Sequence, residues 1–292
     1  MEFFIQILVN GLSIGFLYAL AALGFVMIFK SSSVLNFAHG ELLAIGAFFF
    51  LILSASAKLP IWLCFVLTLV GCFSLGFIIE RFFLRPLIGE ALIEVIMLTV
   101  GLSVMFKGLM LFAFGGNFFK YPSILPEALA VDWGMIHVPS AYVSSFIIGL
   151  LCLGVFGLFF KYSSQGIYMR SVADHQIAAL SLGVHVRMVL ALSWAIAAVV
   201  AAMSGIVLGF MHGVNVHELS AVGLKVFPVV ILGGLDSIGG AIVGGIIIGL
   251  LETFTGGYIS GSLGEVIPYI ILVIILMIKP YGLFGSVEIE RV

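Results

Sequence analysis

Several ionisable and amide side chains interrupt long apolar runs of this chain. Their chemistry and their positions make them the candidates for functional residues. Asn36, His39 and Glu41 stand at the start of one apolar run, Asp236 lies inside a second run, and Glu252 ends that second run. A charge at the centre of a bilayer costs about 2.5–3.5 kcal/mol, so such residues face the interior of a helical bundle or its edge. They are candidates for a gate or a polar pathway.

A purely structural role is the alternative for the same residues. Asn36 suits the cap of a helix, Glu41 suits the first turn, where it complements the helix dipole, and Glu252 suits the end of a span. His39 and Glu41 are two residues apart and point to different sides of a helix, so we do not expect them to pair.

The composition identifies the environment that these residues need. Of the 292 residues, 63% are hydrophobic and 9% are charged, against roughly 25% charged residues in an ordinary soluble domain. So few charges cannot coat a water-soluble surface, which excludes a soluble enzyme. The net charge of -2 comes from scattered residues, so no partnership with nucleic acid is expected.

Apolar runs long enough to cross a bilayer recur along the whole chain. They are continuous rather than alternating, which predicts helices and not a barrel. The expected fold is an all-α, polytopic bundle of about eight or nine spans in a single membrane domain, residues 1–292. The runs lie at about 3–29, 36–57, 60–80, 94–114, 141–160, 188–211, 226–251 and 264–279.

The Lys and Arg residues predict the orientation of these spans. One set of connections carries most of them, the other set carries Lys58, Lys120 and Lys225, and Lys107 lies within a span. The positive-inside rule puts the richer set in the cytoplasm and the N-terminus outside. The richer set comprises Lys30, Arg81, Arg85, Lys161, Arg170, Arg187, Lys279 and Arg291.

A glycine-rich stretch interrupts the seventh run. Residues 232–240 contain four glycines, Gly233 and Gly234 among them, with Asp236 at their centre. A simple crossing over 226–251 would leave the basic C-terminal tail outside, so we expect a broken or re-entrant segment here. Non-helical backbone at membrane depth is tolerated only where protein or a watery cavity covers it. Gly233, Gly234 and Asp236 are therefore further candidates for the pathway or gate.

The longest predicted cytoplasmic connection, residues 163–187, contains an amphipathic segment. Residues 168–182 fit one helix that Gly183 ends, with Arg170 and Asp174 one turn apart on the same face. Ile177 and Leu180 supply its apolar side. Such a helix either lies on the membrane surface or docks into a groove of a soluble partner.

Several kinds of site are missing from the sequence. It has no G-x-x-x-x-G-K-[ST] motif, so the chain cannot bind ATP through a P-loop, and it has neither H-E-x-x-H nor G-x-S-x-G. The histidines show no metal spacing, and Cys64, Cys72 and Cys152 each lie in an apolar run as small core residues. We expect no catalytic residue, metal or cofactor in this chain.

Five segments together resemble the LivH-type permeases of branched-chain amino acid ABC transporters. They are spread in order over nearly the whole chain, and their combination is specific to that family. The segments are residues 15–24 (GFLYALAALG), 34–41 (VLNFAHGE), 169–174 (MRSVAD), 231–240 (ILGGLDSIGG) and 279–285 (KPYGLFG).

The resemblance implies a multi-pass subunit of the bacterial inner membrane with four kinds of contact. It would pair with a second, LivM-like permease, receive solute from a periplasmic binding protein, rest in membrane lipid and be driven by two cytoplasmic subunits that bind the ATP. The 168–183 segment stands where this family has its coupling helix. Arg170 and Asp174 would then contact the ATPase, and Ile177 and Leu180 would fill its groove.

Two points stay open at the level of sequence. The family usually has a second glycine where Asp236 stands, and an added carboxylate could alter the turn or touch the pathway. An ion-coupled secondary carrier or a passive channel for a small solute are the alternative functions, although a channel would not need a partner-docking loop. Which solute is carried does not follow from this chain, because the binding protein largely selects it.

Overall fold

The computed structural model describes residues 2–56, 59–122, 131–133, 136–174 and 176–285. Within these residues it confirms the predicted all-α bundle, to which one short hairpin is added. The helices are α1 Glu2–Ser32, α2 His39–Ser56, α3 Ile61–Ile79, α4 Leu92–Phe114, α5 Ser140–Tyr162, α6 Ser164–Asp174, α7 Gln176–Ser181, α8 Val186–His212, α9 Val216–Gly233, α10 Ile238–Tyr258 and α11 Gly261–Ile278, and the antiparallel strands are β1 Val131–Trp133 and β2 Ile136–Val138.

Length and composition make most of these helices candidate membrane spans. In the described part of the chain, eight helical segments of 18 to 30 residues are apolar enough to cross a bilayer, and α2 is a shorter apolar helix. Helices prevail because hydrocarbon offers no partner for backbone N–H and C=O groups, which an α-helix satisfies within itself. The chain continues after α3 as a π-helical turn, Glu80–Leu84, and a short 3-10 turn, Arg85–Leu87.

The centre of the bundle consists of α1 and α8. Both helices are mostly buried, whereas α3, α4 and α11 expose most of their surface. α1 packs against α8 on one side and α10 on the other, and α2 packs between α8 and α9. Two elements that are distant in sequence therefore flank the first helix.

Close approach of α1 and α10 depends on small residues. Gly15 and Gly249 face each other, and Gly245 lies against the backbone of Ala19. A Cβ atom added to Gly245 would lie 2.7 Å from the Cα atom of Ala19, which is closer than carbon atoms can approach. The four-residue spacing of glycines seen in the sequence is thus a packing stripe, as is usual for membrane helices.

Neighbouring contacts show how the helices alternate in direction. Lys30 at the end of α1 donates a hydrogen bond to the carbonyl oxygen of Asp236, just before α10, and Phe3 at the start of α1 contacts Tyr258 at the end of α10. α1 and α10 are therefore antiparallel. We call the end of the bundle that carries Lys30 and Asp236 the basic end, and the opposite end, where α1 begins, the far end.

The predicted break in the 226–251 run is present, and it separates two complete helices. α9 has 18 residues and α10 has 21, and residues 234–237 turn the chain between them at the basic end. Lys225 was predicted to lie in a loop, and this was wrong because α9 already begins at Val216. The amide oxygen of Asn215 caps that start by accepting from the N–H groups of His217 and Glu218.

The connection between α5 and α8 also lies at the basic end, but it is not the single helix predicted over residues 168–182. Helix α6 begins earlier, at Ser164, because the Ser163 hydroxyl accepts a hydrogen bond from the N–H of Gly166 at 2.9 Å and caps it. A second short helix, α7, covers Gln176–Ser181. Gly183 follows with a positive φ of 84°, which confirms the predicted role of a glycine just after this segment.

Replacing Gly245 by leucine should separate α1 from α10. Overpacking of this kind typically costs about 1–3 kcal/mol, so we expect a lower midpoint of thermal denaturation in detergent. The matched control is Gly101→Leu on α4, where an added Cβ meets nothing within 4 Å. Equal losses in the two variants would show that the contact between α1 and α10 is not what limits stability.

Candidate functional site: a polar cavity between three helices

The chain re-enters the bundle between α1 and α2. Ser33 takes a positive φ of 55°, residues 34–38 follow without regular helix, and α2 then begins beside Ala21 and Gly24 of α1. Gly24 lies eight residues before the end of α1, which corresponds to about 12 Å of helix. The N-terminus of α2 therefore lies inside the bundle and not at its basic end.

Side chains satisfy the backbone of this re-entrant segment. The Asn36 amide oxygen accepts from the N–H of Ala38 at 3.0 Å. The Thr99 hydroxyl of α4 accepts from the N–H of Phe37 at 3.3 Å and lies 3.2 Å from the carbonyl oxygen of Leu35. Asn36 therefore stabilises the turn before α2, and the predicted cap on the first N–H groups of that helix is not what its side chain forms. Thr99 was not among the predicted site residues, because a hydroxyl in an apolar run was its only signal.

His39 and Glu41 leave α2 in different directions, as predicted. His39 is fully buried, and its Nε2 lies 2.8 Å from the carbonyl oxygen of Ala21. Because a carbonyl oxygen only accepts, Nε2 carries the proton in this contact. His39 therefore fastens α2 to α1, whereas Glu41 points towards α4 and α9.

Glu41 lies in a cavity of about 470 Å³ that α2, α4 and α9 enclose. Lys107 of α4 lines the same cavity, together with the hydroxyl-bearing Ser103 and Ser220 and, towards the far end, His217. The hydroxyl groups of Ser103 and Ser220 face the Glu41 carboxylate. Two opposite charges, two hydroxyls and one imidazole thus share a recess whose other lining residues are apolar, which is the usual make-up of a small-solute site.

Sequence reasoning found only one of these residues as a candidate. Lys107 was placed within a span and given no role, and Ser103, His217 and Ser220 were not identified as candidates. They come together because α2 and α9 approach through Gly40 and Gly223, whose backbones touch. Only the tertiary contact reveals that residues from three distant segments line one cavity.

Glu252 belongs to a different, closed cluster. One carboxylate oxygen accepts from Lys225 Nζ at 2.6 Å, and the other accepts from the Tyr18 hydroxyl at 2.8 Å. The side chains of Lys225 and Glu252 are each 15% exposed, so the pair is largely withdrawn from solvent. Its contacts join α1, α9 and α10, and they favour a structural role for Glu252 over a place in an open pathway.

Gly233, Gly234 and Asp236 lie away from the cavity, in the turn at the basic end. Gly234 has a positive φ of 107°, and the backbone of Gly233 touches that of Gly240. The chain after α11 binds to this turn, because the N–H of Phe284 donates to the carbonyl oxygen of Gly233 at 3.0 Å. Two of the segments on which the family resemblance rests, 231–240 and 279–285, are thus one structural unit.

The predicted coupling segment presents apolar side chains at the basic end. Leu180 is 57% exposed and Leu182 is 83% exposed. The Arg170 guanidinium donates to the carbonyl oxygens of Phe160 and Lys161, so it ties α6 to the end of α5. The side chains of Asp174 and Ile177 lie outside the described residues. Contact of these residues with an ATPase stays a prediction.

Comparison with known proteins identifies relatives over the full length. A family model described as "Branched-chain amino acid transport system / permease component" matches residues 7–276. The chain is 30% identical over 302 residues to the high-affinity branched-chain amino acid transport system permease protein LivH of Escherichia coli (strain K12), covering 99% of this chain and 98% of LivH. It is 30% identical over 301 residues to the permease protein BraD of Pseudomonas aeruginosa, with the same shares of each chain covered.

A solved structure shares the fold. The structure of PsaBC from Streptococcus pneumoniae in complex with Fab matches with a TM-score of 0.56 at 16% sequence identity, covering 96% of this chain and 93% of that chain. At this identity the likeness concerns the arrangement of the helices alone.

Removing one partner of the Lys225–Glu252 pair should destabilise the protein more than removing both. A buried charge left without its partner costs about 3–5 kcal/mol, so Lys225→Met and Glu252→Gln should each lower the thermal midpoint strongly. The double variant should recover part of that loss, and Lys120→Met, at an exposed lysine, serves as the control. Additive losses in the double-mutant cycle would contradict a coupled ion pair.

Proposed function

The chain belongs to the family of branched-chain amino acid transport permeases, and we propose that it is the membrane-spanning subunit of an ABC importer for branched-chain amino acids. The observation that carries the proposal is the match to LivH and BraD over 99% of the chain. Those relatives are named as permease proteins of branched-chain amino acid transport systems. Leucine, isoleucine and valine are accordingly the first solutes to test.

In this proposal the basic end of the bundle faces the cytoplasm of a bacterial cell, and the membrane is the inner membrane. Lys30, Arg85, Lys161, Arg170 and Lys279 all lie at that end or beside it. Positive side chains are retained on the cytoplasmic side during insertion. Within the ranges that the structure describes, nine helices that alternate in direction then place the N-terminus in the periplasm and the chain after α11 in the cytoplasm. The eight runs counted in the sequence would have left the basic C-terminal tail outside, and the division of the 226–251 run into α9 and α10 removes that conflict.

Energy would come from partner subunits that bind ATP. The sequence lacks a P-loop, and the proposed importer supplies this function through two cytoplasmic ATPases, with a second permease and a periplasmic binding protein as its other subunits. The exposed apolar side chains of Leu180 and Leu182 at the basic end suit the groove of an ATPase. Closure of the ATPases would rock the two permeases between outward-open and inward-open states through this segment.

Purification and reconstitution test the proposal directly. The tagged chain, purified in mild detergent from its native membranes, should carry a second permease and an ATP-hydrolysing subunit. In proteoliposomes, leucine-loaded binding protein should stimulate ATP hydrolysis and leucine uptake together. Uptake that follows an ion gradient without ATP would indicate a secondary carrier instead, and passive equilibration would indicate a channel.

Shortening the exposed leucines at the basic end should weaken the contact with the ATPase. We expect Leu180→Ala/Leu182→Ala to reduce ATPase co-purification about tenfold or more, because buried apolar anchors dominate protein interfaces. The double variant should keep the thermal midpoint of the wild type, since both side chains are exposed.

Leu150→Ala/Leu158→Ala is the matched control for this prediction. Both leucines lie on α5 and are similarly exposed, but on the surface of a span. Full ATPase recovery with the Leu180→Ala/Leu182→Ala variant would remove this segment as the coupling element.

A further inference from the structure

The cavity that contains Glu41 opens on the side of the bundle. Its rim, between α4 and α9, includes the exposed Val104 and Leu224. Glu41 itself is only 5% exposed and lies at the bottom, and Lys107 is half-buried on the wall. The opening is at the depth of the spans, so in a lone subunit it would face hydrocarbon.

Lipid is an unsuitable cover for this opening. A charged side chain in the hydrocarbon region costs about 2.5–3.5 kcal/mol on insertion scales, and this cavity holds two ionisable groups of opposite sign. The charges of Glu41 and Lys107 attract each other across the cavity but form no ion pair within 4.0 Å, in contrast with Lys225 and Glu252. The face between α4 and α9 therefore needs a protein cover, and a second permease supplies one.

The groups in the cavity match the charged part of an α-amino acid. The Glu41 carboxylate can accept hydrogen bonds from a substrate ammonium group, and the Lys107 ammonium can donate to a substrate carboxylate. Ser220 is 6% exposed, and its hydroxyl faces the Glu41 carboxylate, so its oxygen can accept from the same substrate ammonium group. Phe37, Val104 and Leu111 provide apolar wall for an aliphatic side chain.

We propose that Glu41, Lys107 and Ser220 form a transit site for zwitterionic α-amino acids, and that the face between α4 and α9 is the seam with the second permease. The site rests on the proposed function and deepens it. From Ser103 to Leu111 the cavity follows α4 for eight residues, about 12 Å, towards His217 at the far end. That is the direction from which a binding protein delivers its solute.

Neutral variants of the two charged residues test the site in the assembled importer. Glu41→Gln and Lys107→Met should each lower leucine uptake into proteoliposomes about tenfold or more, because hydrogen bonds to charged groups dominate recognition of a charged ligand. Co-purification of the ATPases should remain complete. Lys107→Arg keeps the positive charge and should retain more uptake than Lys107→Met.

The control is Glu94→Gln, the same change at an exposed carboxylate in the first turn of α4. Its uptake should equal that of the wild type. If Glu41→Gln does not assemble, Lys107→Met tests the site by itself. Lys107 is half-buried, and methionine has a similar length and fits the apolar wall. Uptake within about twofold of the wild type for assembled Lys107→Met would overturn the site, because that factor is below the contribution of one charged hydrogen bond.

The rate at which a cysteine at position 220 is modified gives a second test. This rate would not depend on leucine transport if Ser220 had only a structural role. A membrane-impermeant, charged methanethiosulfonate should modify Ser220→Cys in the importer, and leucine transport should slow the modification. The native Cys64, Cys72 and Cys152 are buried, and the wild type measures their background. No reaction above that background would show that the cavity does not open to water.

These results separate failure of the site from failure of the proposed function. If wild-type chain carries no ATPase and shows no ATP-dependent uptake, the importer assignment fails. If the wild type transports leucine with ATP but the variants match it, only the transit site fails.

Discussion

The backbone of the re-entrant segment between α1 and α2 imposes the constraint on which the polar interior depends. Residues 34–38 bring N–H and C=O groups into the bundle without the internal pairing of a helix, and unpaired groups at that depth would cost several kcal/mol each. Asn36 and Thr99 supply the missing hydrogen bonds. Because Thr99 belongs to α4, the same contacts fix α4 against the start of α2, and this brings Ser103 and Lys107 to Glu41.

Small residues make that arrangement sterically possible. Gly40 of α2 touches Gly223 of α9, and on the opposite side Gly46 meets Ala202 of α8. With larger side chains at these crossings, α2 could not lie between two helices and still present Glu41 to a third. The high glycine content therefore reflects more than general membrane packing, since at α2 it determines which polar groups share a cavity.

The sequence predicted the spans and the basic end well, because hydropathy and charge are local properties that each segment carries by itself. It predicted the glycine turn at Gly233 as well, but not that the turn lies at the end of the bundle, because polar residues near Lys225 concealed the first half of α9. The sequence could not predict the cavity, for a different reason. Glu41 and Ser220 are 179 residues apart, and only the crossing of α2 and α9 brings them together.

Helix α9 lies between two charged clusters, a closed one that contains its own Lys225 and an open one formed by Glu41 of α2 and Lys107 of α4. Lys225 faces α1 and α10, where it donates to Glu252, and the Tyr18 hydroxyl donates to the other oxygen of the same carboxylate, which closes the network. The preceding residue, Leu224, lies on the rim of the cavity, about 100° around the helix, and one turn earlier Ser220 reaches into it. A closed ion pair stabilises a bundle without any ligand, whereas charges that do not meet leave binding capacity for a solute. The open arrangement at Glu41 and Lys107 is therefore the one that a passing zwitterion can complete.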